Sequence, residues 1–200
     1  MSIIVRDVLP TEINQVVEIH KNAFEDFFLT KLGSHFLETY YSAFFNAKDG
    51  ILLGCYQDDK LLGFMAATTL SRGFNKRLIK NNFFHFVKAG LILLFKKPFS
   101  LIRLYKNAAK TNGNEQDDGN YAELLSCGVN KNEQGKGIGQ RLFDAAETKI
   151  KSMNPSVAVS MTTDYYNNEK TLLLYKKIGY EIMYEFVAYP NRKMYRLIKL

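Results

Sequence analysis

Two apolar periods alternate along the chain. Ile3 to Val8 has the every-second-residue pattern of a strand, and Pro10-Thr11 then opens a helix whose stripe is Ile13, Val16, Val17, Ile19, Ala23 and Phe24. A second helix is expected from about Ser34 to Phe45, where Phe36, Leu37, Tyr40, Tyr41 and Phe44 recur at helical spacing and read as core. Between the two lies Glu25 to Leu32, whose Phe27, Phe28 and Leu29 are too apolar for a plain surface loop and suit a pocket wall or core filling equally. Gly50 to Tyr56 and Lys60 to Leu70 form a hairpin pattern turning at Gln57-Asp58-Asp59-Lys60. Asn75 to Phe95 is helical in pattern, Lys97-Pro98 stops it, and LIRLYKNAAK after Ser100 reads as another helix. The polar TNGNEQDDGN, 111–120, is turn-rich and expected to be mobile. A helix to Met153 with Leu142, Ala145, Ala146 and Ile150 inward, a buried strand SVAVSMTT and a terminal hairpin EFVAYPNRKMYRLIKL complete the pattern.

Candidate chemistry concentrates at Tyr121 to Leu142, a short apolar strand, a polar bend, a glycine-rich turn and a helix start. Gly135, Gly137 and Gly139 let the backbone approach a bulky anion, and unpaired N–H groups at a helix start favour negative charge. A diphosphate ligand is expected, against the plainer reading of a loop that needs glycine only to turn. The dinucleotide fingerprint fails, because the sixth position counted from Gly135 is Gln140 and no acidic residue follows at the expected distance. The nucleoside-triphosphate loop fails too, with Asn130 where it needs glycine and Gly137 in place of Ser or Thr.

The 200 residues, 46% hydrophobic, suit a single domain over 1–200. Cys55 and Cys127 lie in apolar runs and the first residues lack a leader pattern, so a cytoplasmic protein with free thiols is the simplest reading. No apolar run approaches the ~20 residues of a membrane span. The net charge of +7 is uneven: Lys60 to Asn114 holds eleven basic residues and no acid, leaving the remainder net negative. Such a field draws anions. Within 71–120 the apolar residues, Phe83, Phe84, Phe86 and Leu91 among them, exceed what one helix face needs and call for cover. Packing on the domain or in a homodimer is favoured over a membrane surface. Nucleic acid is weakest, for no binding module accompanies the basic residues. His20, His35 and His85 are dispersed without ligand spacing, which argues against a metal site.

Gln134-Gly135-Lys136-Gly137-Ile138-Gly139, five residues after Val129, resembles the pyrophosphate loop of the GNAT-type N-acetyltransferases. Asn168, Thr171, Leu174, Tyr175, Gly179 and Tyr180 are similar to that family's Asn-x-x-Ala-x-x-Leu-Tyr-x-x-x-Gly-Phe pattern, with Thr171 for Ala and Tyr180 for Phe. The resemblance covers the first 70 residues loosely and 121–181 closely, and 71–120 lies outside it. It implies an α/β (α+β) fold: a mixed central sheet flanked by helices, here with a basic helical insertion, 71–120, between the third and fourth strands. It also implies acetyl-coenzyme A as cosubstrate, bound by Cys127, Gly128 and Val129, by Gln134, Gly135, Lys136, Gly137, Ile138 and Gly139, and by Asn168.

Ala122-Glu123-Leu124 resembles the histone-acetyltransferase branch, which implies Glu123 as base, directly or through water, and Tyr175 matches the family tyrosine taken to protonate the leaving thiolate. Plainer readings stand beside these: an ion-paired Glu123, a packing Tyr175, an Asn168 that caps its own helix. Phe27, Phe28 and Glu123 would face the acceptor. No metal is required. An acyl intermediate on Cys127 is conceivable, but no histidine neighbours it and a buried thiol is the commoner reading. The expected activity is direct acetyl transfer in a ternary complex to a primary amine of a small acceptor, which the basic insertion suggests is anionic. The alternative is a non-catalytic acyl-coenzyme A sensor or partner-binding module that uses 71–120 as its interface.

Overall fold

A single seven-stranded sheet carries the site. The computed structural model describes residues 2–96, 117–188 and 191–200. In chain order the elements are β1 (Ile3–Asp7), α1 (Ile13–Ala23), α2 (Phe28–Leu32), α3 (Ser34–Ser42), β2 (Gly50–Gln57), β3 (Lys60–Thr68), α4 (Phe74–Asn81) and α5 (Phe83–Lys96), then β4 (Ala122–Val129), α6 (Ile138–Met153), β5 (Val159–Asp164), α7 (Glu169–Lys177), β6 (Glu181–Ala188) and β7 (Arg192–Lys199). The sheet order is β1-β2-β3-β4-β5-β7-β6. Every pairing is antiparallel except that of β4 with β5.

Two cores sandwich the central strands because their side chains alternate. On β2, Leu52 and Tyr56 join α1, α3 and α4 on one face, while Ile51, Leu53 and Cys55 join α6 on the other. On β3, Phe64 and Ala66 face the first core, Met65 and Ala67 the second. The stripe Ile13, Val16, Val17 and Ile19 of α1 is buried as its spacing predicts, and each such side chain contributes about 1.5–3 kcal/mol by leaving water. Leu142, Ala146 and Ile150 do the same for α6.

Two elements depart from the sequence pattern. The link 25–32 contains the short helix α2, and the expected single helix Asn75–Phe95 is two, α4 and α5, parted at Asn82. Asn82 leaves helical geometry at φ −124° and is buried, donating from Nδ2 to Leu78 O at 3.0 Å and Ala43 O at 3.3 Å and accepting from Asn46 Nδ2 at 2.7 Å. These bonds hold the joint against the segment after α3 and set α5 on a new axis.

The first part of 71–120 belongs to the cores: Phe74 and Leu78 of α4 lie in the α1–α3 core, and Ala89 and Leu93 of α5 pack on Leu32 and Phe36. Its two ends are held side by side. Ser71 N–H donates to Tyr121 O at 2.8 Å and Arg72 N–H to Gly119 O at 2.9 Å, so the chain re-enters β4 where it left β3. The expected helix LIRLYKNAAK and residues 111–116 lie outside the described residues, whereas 117–120 is tied down by bonds such as Tyr121 Oη to Asp117 at 2.8 Å. Among the described residues, no helix is long and apolar enough to cross a membrane.

Candidate active site

β4 and β5 pair at three positions only, Ala122, Glu123 and Leu124 against Val159, Ser160 and Met161. Beyond Leu124 they part, while β4 stays on β3 as far as Val129. A bulge coincides with the parting: Ala67 faces Leu124 and Ala66 faces Ser126, which leaves Leu125 as the extra residue. Asn130 N–H donates to Leu62 O at 2.9 Å, so by strand alternation Cys127 and Val129 turn their backbone groups into the gap. Consistent with this, Val129 C=O accepts from Gln134 Nε2 at 3.3 Å. An extended polyamide chain can enter such a gap as an added strand.

The glycine loop closes one mouth of the gap. Gly135 and Gly137 have φ of 78° and 77°, a left-handed backbone that other residues adopt only at a cost, and a Cβ on either would point into open space. Gly137 caps α6, whose first described bond runs from Arg141 N–H to Gly137 O at 3.1 Å, so the N–H groups of Ile138, Gly139 and Gln140 have no acceptor within the helix. With the dipole of a 16-residue helix behind them, these groups fit a diphosphate. Lys136 instead turns its ammonium to Glu133, at 2.9 Å.

A cavity of about 320 Å³ lies at the other mouth. Its walls are His20 and Phe24 of α1, Phe27, Phe28 and Leu29, Met65 of β3, Leu124 to Cys127 of β4, Met161 to Asp164 of β5, Phe143, Tyr175, Arg192 and Met194. Among the described residues its charged lining is one pair: Arg192 donates through Nε and Nη2 to the two Asp164 oxygens at 2.5 and 2.6 Å and lies 4.2 Å over the Phe27 ring. None of the basic residues of α4 or α5 lines it.

Burial, reinforced by the Cys127 thiol, pushes the Tyr175 hydroxyl up to about 12, so it holds its proton at neutral pH. Its ring packs on Phe143 at 5.7 Å between centroids. Burial also pushes Cys127 up to about 12, leaving little thiolate for an acyl-cysteine route. His20, beside the same cavity, is pushed down to about 4 by desolvation; its Nδ1 is 2.6 Å from Tyr41 Oη, and its buried Nε2 has no partner.

Glu123 lies one residue from the cavity wall and does not line it. Its Oε2 accepts from Ser71 Oγ at 2.5 Å and its Oε1 from Arg196 Nη1. Burial disfavours the Arg196 charge, but Glu123 together with Tyr121 and Tyr184 more than offsets this and keeps the guanidinium above its usual pKa. Asn168 does not cap α7 with its side chain; its amide donates to Thr163 Oγ1 at 2.5 Å and Asp164 O at 3.0 Å, bracing the end of β5.

Phe27, Phe28, Cys127 and Tyr175 thus converge on the cavity, Gly128, Val129 and Gln134 to Gly139 on the gap and its loop, and Glu123 on a separate ion pair. Sequence reasoning missed His20, Phe24, Asp164, Arg192, Met194 and Arg196. A signal existed for three of them, since Arg192, Met194 and Arg196 share one face of β7 by strand alternation. Among the described residues no three His, Cys, Asp or Glu side chains converge as a metal would need.

A sheet parted between two parallel strands, with an anion cradle at one mouth and an apolar cavity at the other, defines a transferase that takes its group from an acyl-coenzyme A. The chain belongs to the acetyltransferase (GNAT) family, whose sequence profile matches residues 13–180, and is an acetyl-coenzyme A-dependent acyltransferase. It is similar to the PaiA N-acetyltransferase of Thermoplasma acidophilum in complex with coenzyme A, at 15% identity and TM-score 0.60 over 100% of this chain and 99% of that one. It is also similar to the ribosomal-protein-S18-alanine N-acetyltransferase of Escherichia coli, at 10% identity and TM-score 0.63 over 99% and 93%. A third likeness is to Ard1 of Thermoplasma volcanium, at 14% identity and TM-score 0.62 over 100% and 99%. At these identities the likeness is one of fold. No curated protein sequence matches the chain.

Proposed function

We propose that the protein transfers an acetyl group from acetyl-coenzyme A to a primary amine of a small acceptor, by direct attack in a ternary complex. The observation that carries this reading is the meeting of the β4–β5 gap with the aromatic cavity at Cys127 and Tyr175. The coenzyme supplies an acetyl group activated as a thioester. Gln134 to Gly139 and the start of α6 hold its diphosphate, and Cys127 to Val129 hold its amide arm. The amine, with a usual pKa near ~10, must lose a proton before it attacks the carbonyl carbon. The carbon–sulfur bond then breaks, and Tyr175 supplies the proton that the sulfur takes up.

Glu123 receives the amine's proton through water or the Ser71 hydroxyl, because both of its oxygens are engaged and it does not line the cavity. A second reading assigns that role to His20, favoured by its place in the wall and its unbonded Nε2, although a pKa of about 4 makes it a weak base. Phe24, Phe27, Phe28 and Met194 suit an acceptor with an apolar body, and an acceptor anion would meet Arg192.

Thiol release with acetyl-coenzyme A across a panel of amines tests the reading. Tyr175→Phe is expected to lower kcat by ~100-fold or more while calorimetry still registers coenzyme binding. Glu123→Gln should do likewise if Glu123 is the base, and His20→Gln if His20 is. Binding without turnover on any amine would favour the sensor alternative, and failure to bind the coenzyme would end the proposal.

A further inference from the structure

The feature that acetyl transfer leaves unused is the outer side of α5. Phe84, Val87, Leu91 and Leu94 recur at spacings of three, four and three, which places them on one side of the helix, with Phe83 beside them. The opposite side, through Phe86, Ala89 and Leu93, is anchored on α2 and α3. Although apolar, the outer side is in water: Phe84 is 83% exposed, Leu91 53% and Leu94 50%. The stripe runs most of the length of a 14-residue helix, about 20 Å.

Lys88 borders the stripe by helical position, and Lys76 and Lys80 are exposed on α4, the helix that leads into α5. Among the described residues none of the three makes an ion pair, whereas Arg77 of the same helix is held by Asp49. No acidic residue occurs between Lys60 and Asn114.

We infer that this face of α5, with its flanking lysines, docks on the surface of an anionic lipid bilayer. A helix that is apolar on its outer side, bordered by Lys88 and preceded by the exposed lysines of α4, has the chemistry of an interfacial helix, apolar side chains entering the acyl boundary and ammonium groups meeting phosphate. A second copy suits the face less well, because a two-fold contact through it would bring the lysines of both copies together with no acid to pair them. Docking there would bring a bilayer within one helix layer of the acceptor cavity, since the inner side of α5 packs on Phe28 and Leu29, which wall that cavity.

Vesicle cosedimentation of the full chain without coenzyme tests this apart from catalysis. The wild type is expected to pellet at low salt with vesicles of equal parts phosphatidylcholine and phosphatidylglycerol, to be released by salt, and to stay in solution with phosphatidylcholine alone. Phe84→Ser with Leu91→Ser should lower the partition at least ~10-fold. Lys80→Glu with Lys88→Glu should lower it about fivefold per lysine removed or more. All four side chains are exposed, so unchanged thermal melts are expected and separate lost docking from lost folding. The inference is overturned if the wild type ignores the anionic vesicles or if the variants bind them as well as it does. It is equally overturned if the face proves to join two copies, a dimer that Phe84→Ser with Leu91→Ser dissolves without any vesicle binding.

Discussion

His20 shows how one buried side chain sets a response to pH. Desolvation lowers its pKa to about 4, while an unfolded chain titrates the same group near ~6.5. Between these values the unfolded state binds the extra proton, so stability falls as pH drops from about 6.5 to about 4 and is unaffected by this group above that window. The full difference corresponds to about 3 kcal/mol. Denaturant melts at stepped pH should therefore show a slope in that window that His20→Gln flattens, and an unchanged slope would contradict the assignment.

Glu123 poses a separate problem, because removing its charge leaves Arg196, which is 6% exposed, with Asp117 at 3.9 Å as its remaining carboxylate. Glu123→Gln is expected to cost about 1–3 kcal/mol. Adding Arg196→Met should restore much of that stability but not the turnover, a result that would separate a base from a structural anchor. The position of Glu123 was legible from its strand spacing. Its partners were not, since Ser71 and Arg196 stand 52 and 73 residues away and only the folded sheet brings them close.

Among the elements, the α4–α5 joint best shows where pattern reading stops. The apolar period runs through Asn82 without a break, and asparagine inside a helix is only a mild cost. What turns the chain is the reach of Asn82 to Ala43 and Asn46, which no local pattern encodes. Asn82→Ala would leave Ala43 O and Asn46 Nδ2 without this partner, at about 1–3 kcal/mol, and lower the Tm by several degrees in a circular dichroism melt. An unchanged Tm would show that the joint is held by apolar packing alone. Elements with their own punctuation were legible: the β2–β3 hairpin turns at Asp58 and Asp59, both at positive φ, and α6 starts at the glycine loop that marked it.

At the scale of the molecule, the order of strands and helices followed from periodicity, and two short motifs pointed to the strand, loop and helices on which the candidate coenzyme site is proposed. The cavity was harder to foresee because its walls come from α1, α2, β3, β4, β5, α6, α7 and β7, elements far apart in sequence. The described basic residues of the window 60–114, Lys60 on β3, Arg72, and those of α4 and α5, all lie clear of the cavity. The three-residue seam between β4 and β5 has a further consequence, one that amide hydrogen exchange can read. In the free protein the Cys127 and Val129 amides face the gap and should exchange with solvent deuterium quickly, although they sit mid-sheet beside fully laddered neighbours. Coenzyme binding should slow these two amides selectively and leave those of the β2–β3 ladder unchanged, so that the ligand completes the sheet as its missing strand.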